Sequence, residues 1–270
     1  MSGEVGIIYN RDTKSAQSLA SEVQKVFSAN NISTKLLTTD NLLNDISIAL
    51  AIGGDGTILK TARYYCEYGI GVLGINLGRL GFLSQSNPND IENIVKSIIN
   101  KEYTTQERIM LVENSTKITA LNDIVIKSTE TGRTSKFKLF INDKFLCEYL
   151  ADGIIISTPT GSSAYNLSAG GPVINPKLEV FVITAICPHT LSARPLVIPS
   201  DEVVSISTCE DNESFNIIGD GQISQKISSG EITTIKKYSN KAKLIIINKP
   251  NNEFYSILRD KLYWGVAPSC

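Results

Sequence analysis

Three glycines surround one carboxylate in the segment Gly53-Gly54-Asp55-Gly56-Thr57, between the apolar run Ile48 to Ile52 and a helical pattern. Glycines let backbone amides approach a phosphate, and the N-terminus of the following helix adds partial positive charge. Asp55 would repel a phosphate, so we expect it to take a proton from an attacking hydroxyl or to hold a magnesium ion. A plain strand-to-helix turn would not need it. The segment is neither a Walker A loop nor a GxGxxG fingerprint.

A second loop, Asn76-Leu77-Gly78-Arg79-Leu80-Gly81-Phe82-Leu83, directly follows another short apolar run. Its two glycines indicate either a tight backbone path at the carboxyl edge of a sheet or an ordinary structural turn. In open α/β folds ligands collect at that edge. The loop alone does not distinguish the two readings.

The segment Asp152 to Gly171, DGIIISTPTGSSAYNLSAGG, is the richest in small hydroxyl and glycine residues. Many small donors beside an aromatic ring suit a nucleotide. The alternative is a serine-capped helix start, which needs fewer polar residues. A serine nucleophile is disfavoured, because Gly161-Ser162-Ser163-Ala164 lacks the second glycine of a nucleophile elbow.

Three shorter segments are less specific. Asn122-Asp123 stands at the start of a strand pattern, where it either hydrogen-bonds a ribose or adenine or forms an Asx turn. The single histidine, His189, lies between two prolines, and a lone histidine is more often structural than catalytic. Gly219-Asp220-Gly221-Gln222 reads as a hairpin turn.

The surrounding elements divide the chain in two. Strand and helix patterns alternate over residues 1–108, which predicts an α/β domain with a parallel sheet. Short β-type runs, the last being Ala242 to Ile247, follow over residues 109–251 and predict a β-rich, sandwich-like domain. A helix over about residues 252–270 can return to the first domain.

Composition and charge limit the kinds of partner that we expect for this protein. The net charge is −1 and the pI about 6.0, so the positive field expected of a nucleic-acid binder is absent. No apolar run approaches the roughly 20 residues of a membrane helix, and the N-terminus lacks the layout of a signal peptide. We therefore expect a cytoplasmic protein without a membrane partner. Five cysteines without a CxxC pair are expected to be thiols rather than disulfides or zinc ligands.

Taken together, the segments resemble the NAD kinase family. Residues 53–57 resemble its GGDGT motif, residues 76–83 its NxGxLGFL segment, and residues 152–171 its DG…TPTGSTAY…GGP segment. Residues 188–196 and 220–222 also match, and the matches keep the family order. GGDGT alone is shared in related form with diacylglycerol-type lipid kinases and phosphofructokinases, whereas the TPTG-SAY segment is typical of NAD kinases.

The resemblance implies transfer of the ATP γ-phosphate to the adenosine 2′-hydroxyl of NAD, with a divalent metal (Mg²⁺ or Mn²⁺). Some family members accept inorganic polyphosphate instead. It also implies an N-terminal α/β domain, a β-rich C-terminal domain with the active site between them, and a homo-oligomer, either dimer or tetramer.

The resemblance also implies a role for each residue of this sequence that stands at a position of the family's motifs. Asp55 is expected to be the general base, with Gly53, Gly54, Gly56 and Thr57 at the phosphates and Lys60 helping to neutralise their charge. The implied NAD-binding set is Asp55, Gly56, Lys60, Asn122, Asp123, Arg133, Asp152, Thr160, Ser163, Ala164, Tyr165, Asn166, Ser168 and Gln222. Arg133 could act from a neighbouring subunit. Asp123 departs from the family's usual Glu, keeping the charge but reaching about one methylene less.

Two rival hypotheses and a weaker third stay open at this point. A lipid kinase would share the GGDG core but would want an apolar channel, and Ser157 to Tyr165 is polar. A non-catalytic NAD(P)-binding sensor would not need Asp55 intact. A scaffold protein would not need the glycine and hydroxyl clusters.

Overall fold

The structure is a computed structural model that describes residues 4–78, 81–84, 86, 88–129, 134–190, 192–208, 214–247 and 254–262. The chain forms two units. Residues 1–107 and 243–270 make up the first unit, and residues 108–242 make up the second.

Strands and helices alternate in the first part of the chain. They are β1 (Glu4–Tyr9), α1 (Lys14–Ala29), β2 (Thr34–Thr38), β3 (Ile46–Ile52), α2 (Asp55–Tyr65), β4 (Gly71–Ile75), α3 (Ile91–Asn100) and β5 (Tyr103–Arg108). Short 3₁₀ turns follow α2 at Cys66–Tyr68 and precede α3 at Pro88–Asp90.

Strands dominate the rest of the chain. They are β6 (Leu111–Glu113), β7 (Thr119–Ala120), β8 (Asp123–Ser128), β9 (Ser135–Ile141), β10 (Lys144–Ala151), β11 (Gly153–Ser157), β12 (Val180–Ile186), β13 (Leu196–Pro199), β14 (Val204–Thr208), β15 (Ser214–Gly219), β16 (Ile223–Ser228), β17 (Ile232–Lys237) and β18 (Ala242–Ile247). The helices are α4 (Tyr165–Ser168), preceded by a 3₁₀ turn at Gly161–Ser163, and α5 (Phe254–Leu262). None of the helices in the described ranges is long and apolar enough to cross a membrane.

The first unit is built on one sheet in the order β2-β1-β3-β4-β18-β5. The pairs from β2 through β18 are parallel. In β3 only Ser47 is exposed, because this central strand is covered on both faces. The apolar stripe of α1, which includes Leu19, Val23 and Phe27, packs into the same core as the Ile94 face of α3.

The position of β18 differs from the expectation. Its sequence was assigned to the β-rich domain, but the strand joins the first sheet, where Leu244 pairs with Val72 of β4. Four consecutive buried residues, Leu244 to Ile247, leave the strand without a polar face. Such a strand suits a sheet covered on both sides, whereas β15 alternates buried and half-buried residues as strands of a two-layer sandwich do.

The second unit contains two antiparallel sheets, β10-β9-β14-β17-β6-β7 and β13-β12-β11-β8-β15-β16. Their inner faces share one core. Phe137 of β9 meets Phe215 of β15 edge to face, with ring centroids 5.7 Å apart. This confirms the predicted fold class, an α/β domain with a parallel sheet joined to a β-rich, sandwich-like domain.

A buried carboxylate closes the turn after β6. Glu113 accepts hydrogen bonds from the backbone N–H of Ser115 (3.0 Å) and Thr116 (2.6 Å), and from both hydroxyls. Burial by itself raises the pKa of Glu113, but the hydrogen bonds from Thr116 and Ser115 outweigh burial and lower it. The ionised carboxylate therefore stabilises the fold.

We expect Glu113→Gln to lower the free energy of unfolding by about 1–3 kcal/mol near neutral pH, because one acceptor oxygen becomes an amide donor facing N–H groups. The folded pKa is depressed, so this stabilisation is present above the unfolded-state value of 4.5 and fades as pH falls through the folded value. Urea unfolding at neutral and at acid pH measures the effect. An equal loss of stability at both would contradict the assignment.

Candidate functional site

Asp55 is the first residue of α2, at the carboxyl edge of the parallel sheet. The chain leaves β3 through Gly53, whose N–H bonds to the carbonyl of Ile75 at the end of β4 (3.0 Å). Gly53 has φ +157°, and a Cβ there would overlap the Thr57 side chain. Gly54 and Gly56 are exposed at the helix N-terminus, where the positive end of the helix dipole favours an anion. The geometry thus suits a phosphate beside a carboxylate.

The Asp55 carboxyl is packed against the loop at residues 81–84. A Cβ on Gly81 would overlap Asp55 Oδ1 and lie 2.6 Å from Ser84 Oγ, which itself accepts the Gly81 N–H at 3.0 Å. Asp55 Oδ1 is buried and has no hydrogen-bond partner among the described residues. Two segments that the sequence singled out separately therefore meet at this oxygen.

Burial is the main influence on Asp55 and raises the pKa of its carboxyl. The positive charge of Lys261 on α5, the N–H groups of Phe82 and Leu83, and the Ser84 hydroxyl oppose the shift without cancelling it. A carboxylate with raised proton affinity and an oxygen without a hydrogen-bond partner is suited to accept a proton. Lys261 and Ser84 were not among the predicted site residues, and only the return of α5 and the fold of the loop connect them with Asp55.

We expect Gly81→Ala to reduce kcat by about 100-fold, because the added Cβ must displace the Asp55 carboxyl and misplacement by about 1 Å has effects of this size. The matched control is Gly78→Ala in the same loop, where a Cβ would meet nothing within 4 Å. Steady-state kinetics of both variants provide the measurement. Equal activity of the two would refute the proposed packing of Asp55.

Lys60, expected at the phosphates, lies one turn beyond Gly56 on α2. Its ammonium is 2.7 Å from Asp40 Oδ1, and Asp40 Oδ2 is 3.5 Å from Arg11 Nε. The hydrogen bond from Lys60 is the main reason that the pKa of Asp40 is lowered. All three side chains lie at the carboxyl edge of the sheet. The role of Lys60 at a phosphate stays a prediction.

In the second unit the Asn122 turn and the TPTG segment lie against each other. Thr158 Oγ1 donates to the Leu121 carbonyl (2.6 Å), and the Thr158 N–H donates to the Asn122 carbonyl (2.8 Å). A Cβ on Gly161 would overlap the Asn122 backbone. The glycine is needed here for close backbone approach. The structure therefore brings together Asn122-Asp123 and the segment Asp152 to Gly171, which are far apart in the sequence.

A pocket of about 430 Å³ opens beside this turn. Four residues of the predicted NAD-binding set line it, namely Asn122, Asp123, Ala164 and Tyr165. Its other lining residues are Val125, Lys127, Ile218, Asp220 and Gly221. Its volume is in the range of small-molecule sites.

Two side chains of the pocket have shifted proton affinities. Burial, and secondly the charge of Asp220, raise the pKa of Asp123 to about 7. The pKa of Tyr165 is raised by burial and then by Cys187, Asp123 and Asp152. Asp152 therefore lies close enough to influence the Tyr165 phenol.

The other predicted residues differ in exposure. Asn166 is buried, and its side chain bonds to the Ser162 and Pro172 carbonyls and to the Thr184 hydroxyl. Its side chain thus holds the loop. Thr160 and Ser163 are half-buried, whereas Asp152, Ser168 and Gln222 are exposed. Arg133 lies outside the described residues.

Within the described residues, no three His, Cys, Asp or Glu side chains are grouped as metal ligands. Mg²⁺ is commonly held by one or two carboxylates together with substrate phosphates and water. Asp55, with a buried oxygen that lacks a partner, fits such a metal, with the substrate's phosphates as the other ligands.

An α/β unit with a carboxylate at a helix N-terminus, together with a sandwich unit carrying a pocket of about 430 Å³, fits a nucleotide-dependent phosphotransferase. Comparisons with known proteins make this specific. Residues 26–103 match the ATP-NAD kinase N-terminal domain, and residues 121–247 match the ATP-NAD kinase C-terminal domain.

Similar proteins of known family support the same assignment. The chain is 42% identical to an NAD kinase of Caldanaerobacter subterraneus subsp. tengcongensis, over 79% of this chain and 77% of the relative. It is 36% identical to an NAD kinase of Acetivibrio thermocellus, over 96% and 97% of the two chains. The crystal structure of an NAD kinase from Archaeoglobus fulgidus in complex with ATP has the same fold, with a TM-score of 0.81 at 24% identity over 94% of this chain and 98% of that one.

The chain therefore belongs to the NAD kinase family. It is an enzyme that phosphorylates NAD to NADP. This confirms the resemblance read from the motifs and sets aside the lipid-kinase, sensor and scaffold hypotheses.

Proposed function

We propose that Asp55 is the general base in transfer of the ATP γ-phosphate to the adenosine 2′-hydroxyl of NAD. The observation that carries the proposal is the buried, unpartnered Asp55 Oδ1 at the N-terminus of α2. The 2′-oxygen forms the new bond to the γ-phosphorus, the bond from that phosphorus to the leaving ADP oxygen breaks, and the 2′-hydroxyl proton passes to Asp55. Little else is required than alignment and charge stabilisation.

Gly53, Gly54, Gly56 and Thr57 hold the phosphates in this proposal. The exposure of Gly54 and Gly56 and the positive end of the α2 dipole support it. Lys60 adds a positive charge on the same helix, and Asp40 holds that charge in place until a phosphate competes for it. A divalent metal, Mg²⁺ or Mn²⁺, bound by the substrate's phosphates would supply further charge neutralisation, which leaves Asp55 to act as the base.

NAD lies against the second unit's pocket. Asn122 and Asp123 take the nicotinamide-side ribose or the adenine, and Ala164 and Tyr165 line the same pocket, which supports their common role. The influence of Asp152 on Tyr165 supports placing Asp152 at the nicotinamide end. Thr160, Ser163, Asn166 and Ser168 surround the adenine, with Gln222 and Arg133 added by their positions in the family pattern.

The protein acts as a homo-oligomer, a dimer or tetramer, in which Arg133 reaches a neighbouring subunit's site. The family resemblance supports this assembly. A cytoplasmic location is supported by free cysteines at 66, 147 and 187, since cytosolic proteins keep their thiols reduced.

The test is an end-point assay of NADP formation from NAD, with ATP or polyphosphate as donor and Mg²⁺ or Mn²⁺ as metal. An NADP-specific dehydrogenase reads the product, so only a 2′-phosphate is counted. We expect NADP with ATP, and the polyphosphate arm determines donor range. Absence of NADP with ATP and either metal would contradict the proposed donor.

A further inference from the structure

The hairpin turn between β15 and β16 places a carboxylate under the Asn122 turn. Asp220 and Gly221 both have positive φ, +51° and +65°, and the Gln222 N–H bonds to the Gly219 carbonyl at 2.9 Å. This is the geometry of a type I′ turn, which suits Asp-Gly. The turn directs the Asp220 side chain towards residues 121–123, 97 or more positions earlier in the chain.

Three consecutive backbone N–H groups point at this carboxylate. Asp220 Oδ2 accepts from Leu121 (3.1 Å), and Oδ1 accepts from Asn122 (2.7 Å) and from Asp123 (3.3 Å). The Asp220 N–H donates in return to the Asp123 carbonyl at 2.9 Å. Bonds to a charged acceptor are roughly twice as strong as neutral ones. The carboxylate therefore fixes the backbone from which the Asn122 and Asp123 side chains project.

The opposite side of the same turn is fixed by Thr158, which binds the carbonyls of Leu121 and Asn122. Asp220 thus completes a clamp in which the N–H groups are held from one hairpin and the carbonyls from the TPTG segment. Both clamping segments belong to the pocket or adjoin it.

We propose that Asp220 is a positioning residue for NAD binding, which orients Asn122 and Asp123 through their backbone amides. The inference rests on the proposed function, because it assumes that NAD occupies the pocket of Asn122 and Asp123. Asp123 must be ionised to accept hydrogen bonds from ribose hydroxyls with full strength.

The charge of Asp220 also acts on the Asp123 carboxyl, which gives the positioning role a pH-dependent readout. Burial is the larger influence that raises its pKa to about 7, and Asp220 is the second. The other titratable groups of the pocket are Lys127 on β8 and Tyr165 on α4, with Asp152 and Cys187 near the Tyr165 phenol. Removing the charge of Asp220 lowers the pKa of Asp123, so the ionised form persists to lower pH.

The test measures the NAD dissociation constant by calorimetry without a phosphoryl donor, from about pH 5.5 to about pH 9, for the wild type and Asp220→Asn. In wild type we expect affinity to rise as pH increases through about 7. In Asp220→Asn we expect about tenfold weaker binding at alkaline pH, and a midpoint displaced to lower pH. A purely structural role would weaken binding without moving the midpoint.

Two further variants separate the outcomes. Glu113→Gln, which also alters a carboxylate bound to backbone amides in this unit, is expected to leave NAD binding unchanged. If Asp123→Asn weakens NAD binding while Asp220→Asn leaves affinity and midpoint unchanged, the inference is wrong and the NAD site stands. If neither variant changes binding, the NAD site is misplaced and the inference falls with it.

A measurement on the wild type covers the case in which Asp220→Asn does not fold. The readout is NMR scalar coupling across hydrogen bonds, from backbone N–H groups to aspartate carboxyl carbons. We expect couplings from the Leu121 and Asn122 amides to the Asp220 carboxyl carbon, because these amides donate to it, and we expect both amide signals to shift when NAD is added. Absence of these couplings, or amide signals that do not respond to NAD, would overturn the proposal.

Discussion

Asp55→Asn is expected to reduce kcat for NADP formation by about 100- to 10,000-fold, the range that general-base catalysis contributes. The amide has the size of the carboxyl but cannot take up the 2′-hydroxyl proton. The KM values for NAD and ATP should change much less, because the loss concerns a contact made in the transition state. Steady-state kinetics with saturating ATP provide the measurement.

The fold should survive this substitution. Burial raises the pKa of Asp55, so its ionised form costs stability, and a neutral amide removes that cost. Because the folded-state pKa is raised, we also expect wild-type kcat to fall as acid pH protonates Asp55. Thermal unfolding of Asp55→Asn should therefore occur at or above the wild-type temperature.

The control is Asp45→Asn, because Asp45 stands before the first residue of β3 whereas Asp55 stands beyond its last residue. Asp45 precedes β3, is exposed and pairs with Lys35. We expect wild-type kinetics from this variant. A kcat for Asp55→Asn within about threefold of wild type would remove Asp55 from the role of general base, since base removal has far larger effects.

Asp123→Asn is expected to weaken NAD binding and to stabilise the protein at alkaline pH. The pKa of Asp123 is raised from an ordinary 3.8 to about 7, mainly by burial and then by Asp220. Such an acid binds a proton more tightly in the folded state than in the unfolded state. Stability is therefore lost as pH rises from the unfolded-state value to the folded-state value.

A shift of this size corresponds to at most about 4 kcal/mol, at 1.36 kcal/mol for each pKa unit. We expect Asp123→Asn to recover part of this free energy at about pH 8 and little at about pH 4, where the acid is already protonated. NAD affinity should fall by about 10- to 100-fold at the alkaline pH, because hydrogen bonds to a charged acceptor are worth about 1.5–3 kcal/mol.

Calorimetric unfolding at the two pH values and NAD titration provide the measurements. Asp143→Asn is the control, an exposed carboxylate at the left-handed turn between β9 and β10, where Asn is equally suited. It should change neither stability nor binding. A gain in stability that is the same at both pH values would show that burial does not raise the pKa of Asp123.

Local sequence patterns predict several strands, loops and turns of this protein. The apolar run of β3 ending in Gly53 predicts a buried strand followed by a phosphate loop, and the short β-type runs over residues 109–251 predict a sandwich-like domain. The Asp220-Gly221 pair predicts its hairpin turn, which the positive φ values confirm. Each of these features depends on residues within a few positions of one another.

Local sequence patterns did not predict the contacts between segments that are distant in the chain. The β18 strand was predicted within the β-rich domain but joins the parallel sheet, since periodicity reports how many faces of a strand are buried but not which neighbour covers them. Lys261 and Ser84 influence Asp55, and Asp220 holds residues 121–123, yet no spacing rule connects them.

The sequence by itself determined the family, the two kinds of domain and the carboxylate at the phosphate loop, because motif and periodicity are local properties of the chain. Only the tertiary structure decided what Asp55 and Asp123 can do as acids. Their proton affinities depend on burial and on charges brought near by folding, Lys261 for Asp55 and Asp220 for Asp123. A carboxyl group has its ordinary pKa in any unfolded chain, and only packing against distant segments changes it.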